Sequence, residues 1–160
     1  MVGNDTAAAN AASVIDHARA NGDQVIHVRH EFQSPDAPFF IAGSDGAQIS
    51  TTVAPQDGET VVTKHHPSSF HGTGLDQMLR DRGVSDVVVI GAMSHMCIDA
   101  TTRASADSGF ATTVIHDACA TCDLAFDGKT VAAGDVHTAM MAALAFAYAN
   151  VISTGEYLSQ

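Results

Sequence analysis

Cys97 and Lys64 are the side chains of this sequence best placed to do chemistry. Cys97 follows an apolar run, Val87 to Ile90, and the turn Gly91-Ala92-Met93-Ser94, so it falls in the first turn of the helix that comes next. A thiol there meets unpaired backbone N–H groups and the positive end of the helix dipole, which favours the thiolate and marks a candidate nucleophile. The competing reading is a small buried hydrophobe, as most free cysteines are. Lys64 ends another apolar run, Thr60 to Lys64, at the carboxyl edge of its strand. An ammonium there can hold a thiolate or a developing oxyanion. Lys64 and Lys129 are the only lysines in the chain, which weighs against a surface lysine that merely snorkels.

Nine histidines raise the question of a metal, but their spacings do not answer it. His27 and His30 differ by three along a strand and face opposite sides, His65 and His66 diverge as neighbours, and no HxH or HxxxH occurs. Neither a metal nor another cofactor is expected. His30 at a strand end, Phe70, and His95 in the elbow are expected to line a substrate pocket. Cys119-Ala-Thr-Cys122 has the spacing of a redox pair or of half a zinc site, yet it follows a strand, opens no obvious helix and has no second pair. No P-loop and no G-x-G-x-x-G is present.

The elements that must position these residues alternate. The pattern predicts a helix over Asn4 to Ala20, capped by Asp5 or Thr6 and stopped by Asn21-Gly22, then a strand over Val25 to His30. A strand over Thr60 to Lys64 and a helix over Gly74 to Arg82, closed by Gly83, come next. Asp86 to Gly91 is apolar on both faces, as a strand buried between two helical layers must be. Ser94 to Ser108 reads as helix, Phe110 to His116 as strand, Asp135 to Ala149 as helix and Val151 to Ser153 as the last strand. Such alternation means a mostly parallel sheet with helices on both faces, and a functional crevice at the carboxyl ends of the strands. The segment between His30 and Thr60 breaks the rhythm, and its adjacent Phe39 and Phe40 call for burial against a subunit partner or a substrate pocket, the partner being favoured.

With 160 residues the chain has room for one domain. Apolar residues at 46% and charged ones at 16% fit a packed globular protein. A formal charge of −11 repels nucleic acid and anionic membrane surfaces. The longest apolar run, Ala139 to Ala149, is too short to cross a bilayer, the opening residues lack a signal-peptide pattern, and three cysteines suit a reducing compartment. A cytoplasmic protein acting on a small molecule is the expectation.

The stretches VVTKHHPSSF and VVVIGAMSHMCIDATTRASADSGF, the later DACAT, and Val136-His137 at the start of the last helix resemble the isochorismatase-like cysteine hydrolases, from about residue 3 to the end. The resemblance implies a Rossmann-like three-layer α/β/α sandwich. It also implies that Cys97 attacks a carbonyl carbon to form a thioester and that Lys64 stabilises the thiolate and organises proton transfer. The backbone N–H groups of Met93 and Cys97 would form the oxyanion hole, beside a cis peptide between Ala92 and Met93. A homodimer or homotetramer is expected. Family members also carry a catalytic Asp at the end of a first, central strand, and residues 1–160 contain no match to it. Asp16 lies inside the predicted helix and does not take that role. Without this strand two edges would be left unpaired, each buried backbone group costing about 1–3 kcal/mol. The expectation is therefore an N-terminally truncated domain over 1–160, with Met1 internal or a misplaced start.

A cysteine in this family goes with acyl transfer, whereas members that cleave a vinyl ether need no such nucleophile. The implied activity is hydrolysis of a small amide, carbamoyl or related C–N bond other than a peptide bond. The alternatives are isochorismatase-type cleavage of a vinyl ether, a catalytically inactive or truncated scaffold, and a redox protein using Cys119 and Cys122.

Overall fold

The computed structural model describes all 160 residues. Helix α1 (Asn4–Asn21) runs through the Ala-rich opening and ends where Gly22 turns left-handed, with φ 79°. There the N–H groups of Gly22 and Asp23 return to the carbonyls of Arg19 and Ala18, a closure only a residue without Cβ makes freely. Its N-cap is Gly3, with no side-chain hydrogen bond, because Asp5 and Thr6 are already inside the first turn. Strand β1 (Ile26–His30) pairs in parallel with β2 (Thr60–Lys64), setting His30 opposite Lys64. Between them the long segment carries two short 3-10 turns, Asp45–Ala47 and Thr51–Val53.

Then come α2 (Leu75–Asp81), β3 (Asp86–Ala92), a π-helical turn (Ser94–Ile98) and α3 (Asp99–Asp107). They are followed by β4 (Ala111–Ala120), β5 (Leu124–Phe126), β6 (Lys129–Val131), α4 (Ala133–Ala147), β7 (Asn150–Ile152) and α5 (Thr154–Leu158). Strand β4 sits between β3 and β7 with all pairings parallel, and β5 and β6 form a separate hairpin. Successive side chains of β4 point to opposite faces. Val114 packs with Val89, Ile98, Met141 and Leu144 on the α3 and α4 side. Ile115 packs with Ala11 and Val14 of α1, backed by Ile152 and Tyr157. Helices thus cover both faces of a parallel sheet, and Val114, Ile115 and Leu144 are fully buried. Burial of each is worth about 1.5–3 kcal/mol.

The parallel strands form two groups, β1-β2 and β3-β4-β7, with no ladder between them. Packing holds the groups together: Ile26 of β1 and Val87 of β3 both rest on the cluster of Leu75, Leu79 and Phe110. Strand β3 is consequently more open than its apolar sequence predicts. Val89 is its one buried residue and Val88 is 39% exposed, because a strand with a single partner leaves its other edge to solvent. No helix is long and apolar enough to cross a membrane.

Candidate active site

Lys64 is the last residue of β2, only 4% exposed, and its ammonium is aimed by the backbone that follows it. Nζ donates to the carbonyls of His66 and Pro67, both at 2.9 Å, and to Cys97 Sγ at 3.0 Å. Those bonds use its three hydrogens, while His30 Nδ1 lies 3.2 Å away. Lys64 makes no ion pair with any carboxylate. A buried ammonium is expensive unless an anion balances it. Among its hydrogen-bond partners, the sulfur of Cys97 is the group able to carry that negative charge.

Cys97 reaches this position through the elbow after β3. The Ala92–Met93 peptide is cis, and the Met93 carbonyl accepts from the N–H groups of both Met96 and Ile98, which tightens the π-helical turn around the cysteine. Ser94, at the head of that turn, is fully buried. Its Oγ lies 2.8 Å from His137 Nδ1 and 3.4 Å from the Ala120 carbonyl. Next to it, His95 Nδ1 meets Thr121 Oγ1 at 2.6 Å. Two neighbouring elbow residues are therefore tied to two neighbouring residues at the end of β4.

Of the three expected pocket residues, His30 is the one that touches Lys64. Burial, together with the charge of Lys64, pushes its pKa below the ordinary histidine value, so the ring is neutral at pH 7. Phe32 packs against it at 4.5 Å between ring centres and Phe40 at 5.9 Å, with Phe39 against both phenylalanines. The adjacent phenylalanines thus gather beside the Lys64 end of the cleft within one chain, although Phe39 stays 48% exposed. The loop folds back to do this through a hydrogen bond from the Phe32 N–H to the Phe40 carbonyl. His95 lies in the elbow but turns to Thr121, and burial lowers its pKa. Phe70 packs toward Phe110 and the cluster of Leu75 and Leu79 and makes no recorded contact with Lys64 or Cys97.

Cys119 and Cys122 are free thiols. Cys119 is buried in β4, and burial pushes its pKa up to about 12, which leaves it unreactive. Sequence reading missed Ser94 and His137, for they lie 43 residues apart and no spacing rule joins them.

An isochorismatase domain matches residues 1–156. An uncharacterised isochorismatase family protein of Bacillus subtilis, YddQ, is 44% identical over 154 residues, covering 96% of this chain and 86% of its own. A solved structure from Oleispira antarctica, classed with the isochorismatase hydrolases, shares 51% identity at a TM-score of 0.95. It covers 100% of this chain and 84% of its own. Maleamate amidohydrolase of Pseudomonas putida is 32% identical over 120 residues, covering 67% of this chain and 56% of its own.

Proposed function

This chain belongs to the isochorismatase family of hydrolases, and from that premise we propose that it hydrolyses a small amide, carbamoyl or related C–N substrate through a thioester on Cys97. The observation that carries this reading is the 3.0 Å contact between the Lys64 ammonium and the Cys97 sulfur, with no carboxylate paired to the lysine. The pair begins as ammonium and thiolate. Sγ attacks the substrate carbonyl carbon, a C–S bond forms, and the π electrons move to oxygen, where the N–H groups of Met93 and Cys97 stabilise the charge. As the tetrahedral adduct collapses, the C–N bond breaks and the departing nitrogen takes a proton from Lys64. Water then attacks the thioester carbon and loses a proton to the neutral amine of Lys64. The C–S bond breaks, the acid leaves, and ammonium and thiolate are restored.

His30 and its phenylalanines stand on the Lys64 side and support a substrate with a small apolar body. Exposed Phe126 and Phe146 support assembly into a homodimer or homotetramer, and three free cysteines support work in the reducing cytoplasm. The free edges of β1 and β3 support a further proposal, that an extended segment outside residues 1–160 completes the sheet. One observation favours a second reading, an inactive scaffold: β1 and β3 each keep an unpaired edge, so the sheet that carries the Lys64–Cys97 pair is divided. A panel of small amides, ureas and esters, assayed with the wild type and Cys97→Ala, separates the readings. Turnover that disappears in Cys97→Ala is expected. Turnover that survives the substitution overturns the nucleophile, and none in either protein favours the scaffold.

A further inference from the structure

We propose that His137 is a positioning residue for the reaction, holding the elbow that carries Cys97 through a hydrogen-bond chain from His137 Nδ1–H to Ser94 Oγ and on to the Ala120 carbonyl. This inference rests on the nucleophile reading of Cys97. The chain follows from counting hydrogens. A serine hydroxyl has one hydrogen and can accept through its lone pairs. If Ser94 donates to Ala120, it accepts at 2.8 Å from a protonated Nδ1, and both contacts are satisfied. If Ser94 donates to His137 instead, its contact with the Ala120 carbonyl is left without a hydrogen. The proton on Nδ1 is assigned here by that argument.

The placement gives the chain its effect. Ser94 lies three residues before Cys97, at the first position of the π-helical turn, and no water reaches it. Ala120 closes β4, directly opposite Ala92 at the end of β3. His137 comes from α4, on the far side of the elbow. One side chain thus pins the turn to the sheet, and the His95 contact with Thr121 adds a second tie one residue on. With the first tie removed, the turn is free to shift against β4, and the Cys97 sulfur leaves its line with Lys64. Acid does not undo the bond, since the imidazolium keeps a hydrogen on Nδ1.

The test measures the rate at which iodoacetamide alkylates Cys97 at pH 7, followed by peptide mass spectrometry on the full chain. The variants are His137→Ala, His137→Asn, His137→Gln and Ser94→Ala, each checked by thermal melting. Asparagine places an amide N–H where Nδ1 stood, and glutamine places one where Nε2 stood. His137→Ala, His137→Gln and Ser94→Ala are expected to slow alkylation about 10- to 100-fold, the penalty typical of a displaced reacting group. His137→Asn should stay close to wild type. Even if His137→Ala does not fold, the contrast between asparagine and glutamine decides. Equal rates for those two variants, or a His137→Ala rate equal to wild type, overturn the proposal. A wild-type Cys97 no faster than free cysteine sinks the nucleophile reading instead. In that event the imidazole 15N spectrum judges the chain itself: an Nδ1–H tautomer at His137 that Ser94→Ala abolishes supports it, and an Nε2–H tautomer overturns it.

Discussion

Lys64 and Cys97 meet although neither has a special neighbour in sequence, and the reason lies in what a strand end does. Lys64 ends β2, so the chain that descends from it brings the carbonyls of His66 and Pro67 back onto its ammonium and aims the remaining hydrogen at Cys97. Replacing Lys64 with Met should slow alkylation of Cys97 at pH 7 about 10- to 100-fold, the loss of one charge-assisted hydrogen bond. Lys64→Arg should be slow as well, because a planar fork cannot address two carbonyls and a sulfur arranged around one nitrogen. An unchanged rate in either variant would show that the ammonium does not act on the sulfur. Both residues were legible in the sequence because each combines a reactive type with a strand boundary. His137 was not, since its partner is chosen by tertiary packing of α4 on the elbow.

At the scale of elements, Glu59 joins three of them just ahead of β2. Its carboxylate accepts from Arg19 of α1 at 2.8 and 2.9 Å, from the Gln56 N–H at 2.7 Å, and lies 2.9 Å from His27 Nε2 of β1. The Arg19 guanidinium above all, helped by the Gln56 N–H and His27, holds the Glu59 pKa at about 2, well below its ordinary 4.5. A depressed carboxylate stabilises the fold fully above the unfolded value and loses that contribution as pH falls through the folded one. The melting temperature of the wild type should exceed that of Glu59→Gln by a constant margin near neutrality, and the margin should close between pH 4.5 and about 2. A margin independent of pH would mean the carboxylate charge is not what joins these elements. The long helices and the paired strands were readable from periodicity. The hairpin and α5 were not, although Asp127-Gly128 is a strong two-residue turn signal and Ser153 with Glu156 forms a capping box. Those two strands of three residues and that helix of five are too short for a period to show, whereas the equally short β7 was marked by β-branched Val151 and Ile152 following a long helix.

Across the whole molecule, pairing sets a gradient of stability. Strand β4 is hydrogen-bonded on both sides and carries the fully buried Val114 and Ile115, whereas β1 and β3 each have one partner. Hydrogen exchange should find uniform protection over Thr113 to Ile115 and an alternating pattern along β3, fast at the amides that face the free edge. Uniformly slow exchange along β3 would reveal a partner strand on that edge. Layering and strand direction were visible in the sequence, because a parallel sheet between helices leaves an apolar signature. The valines of β3 by themselves read alike whether one edge is paired or two, and an unpaired edge was expected only from the family resemblance.

The division of the sheet has a consequence for how reactivity and mechanics are linked. Lys64 belongs to one group of strands and Cys97 to the other, so their contact is a rivet between two plates. Any breathing of the plates stretches that rivet along with the shared packing of Ile26 and Val87, and leaves the centre around Val114 and Leu144, which lies within one plate, in place. Thiol reactivity then serves as a gauge of closure: hydrostatic pressure or mild urea should dull it while the helices are still intact, and a molecule wedged across the seam should sharpen it.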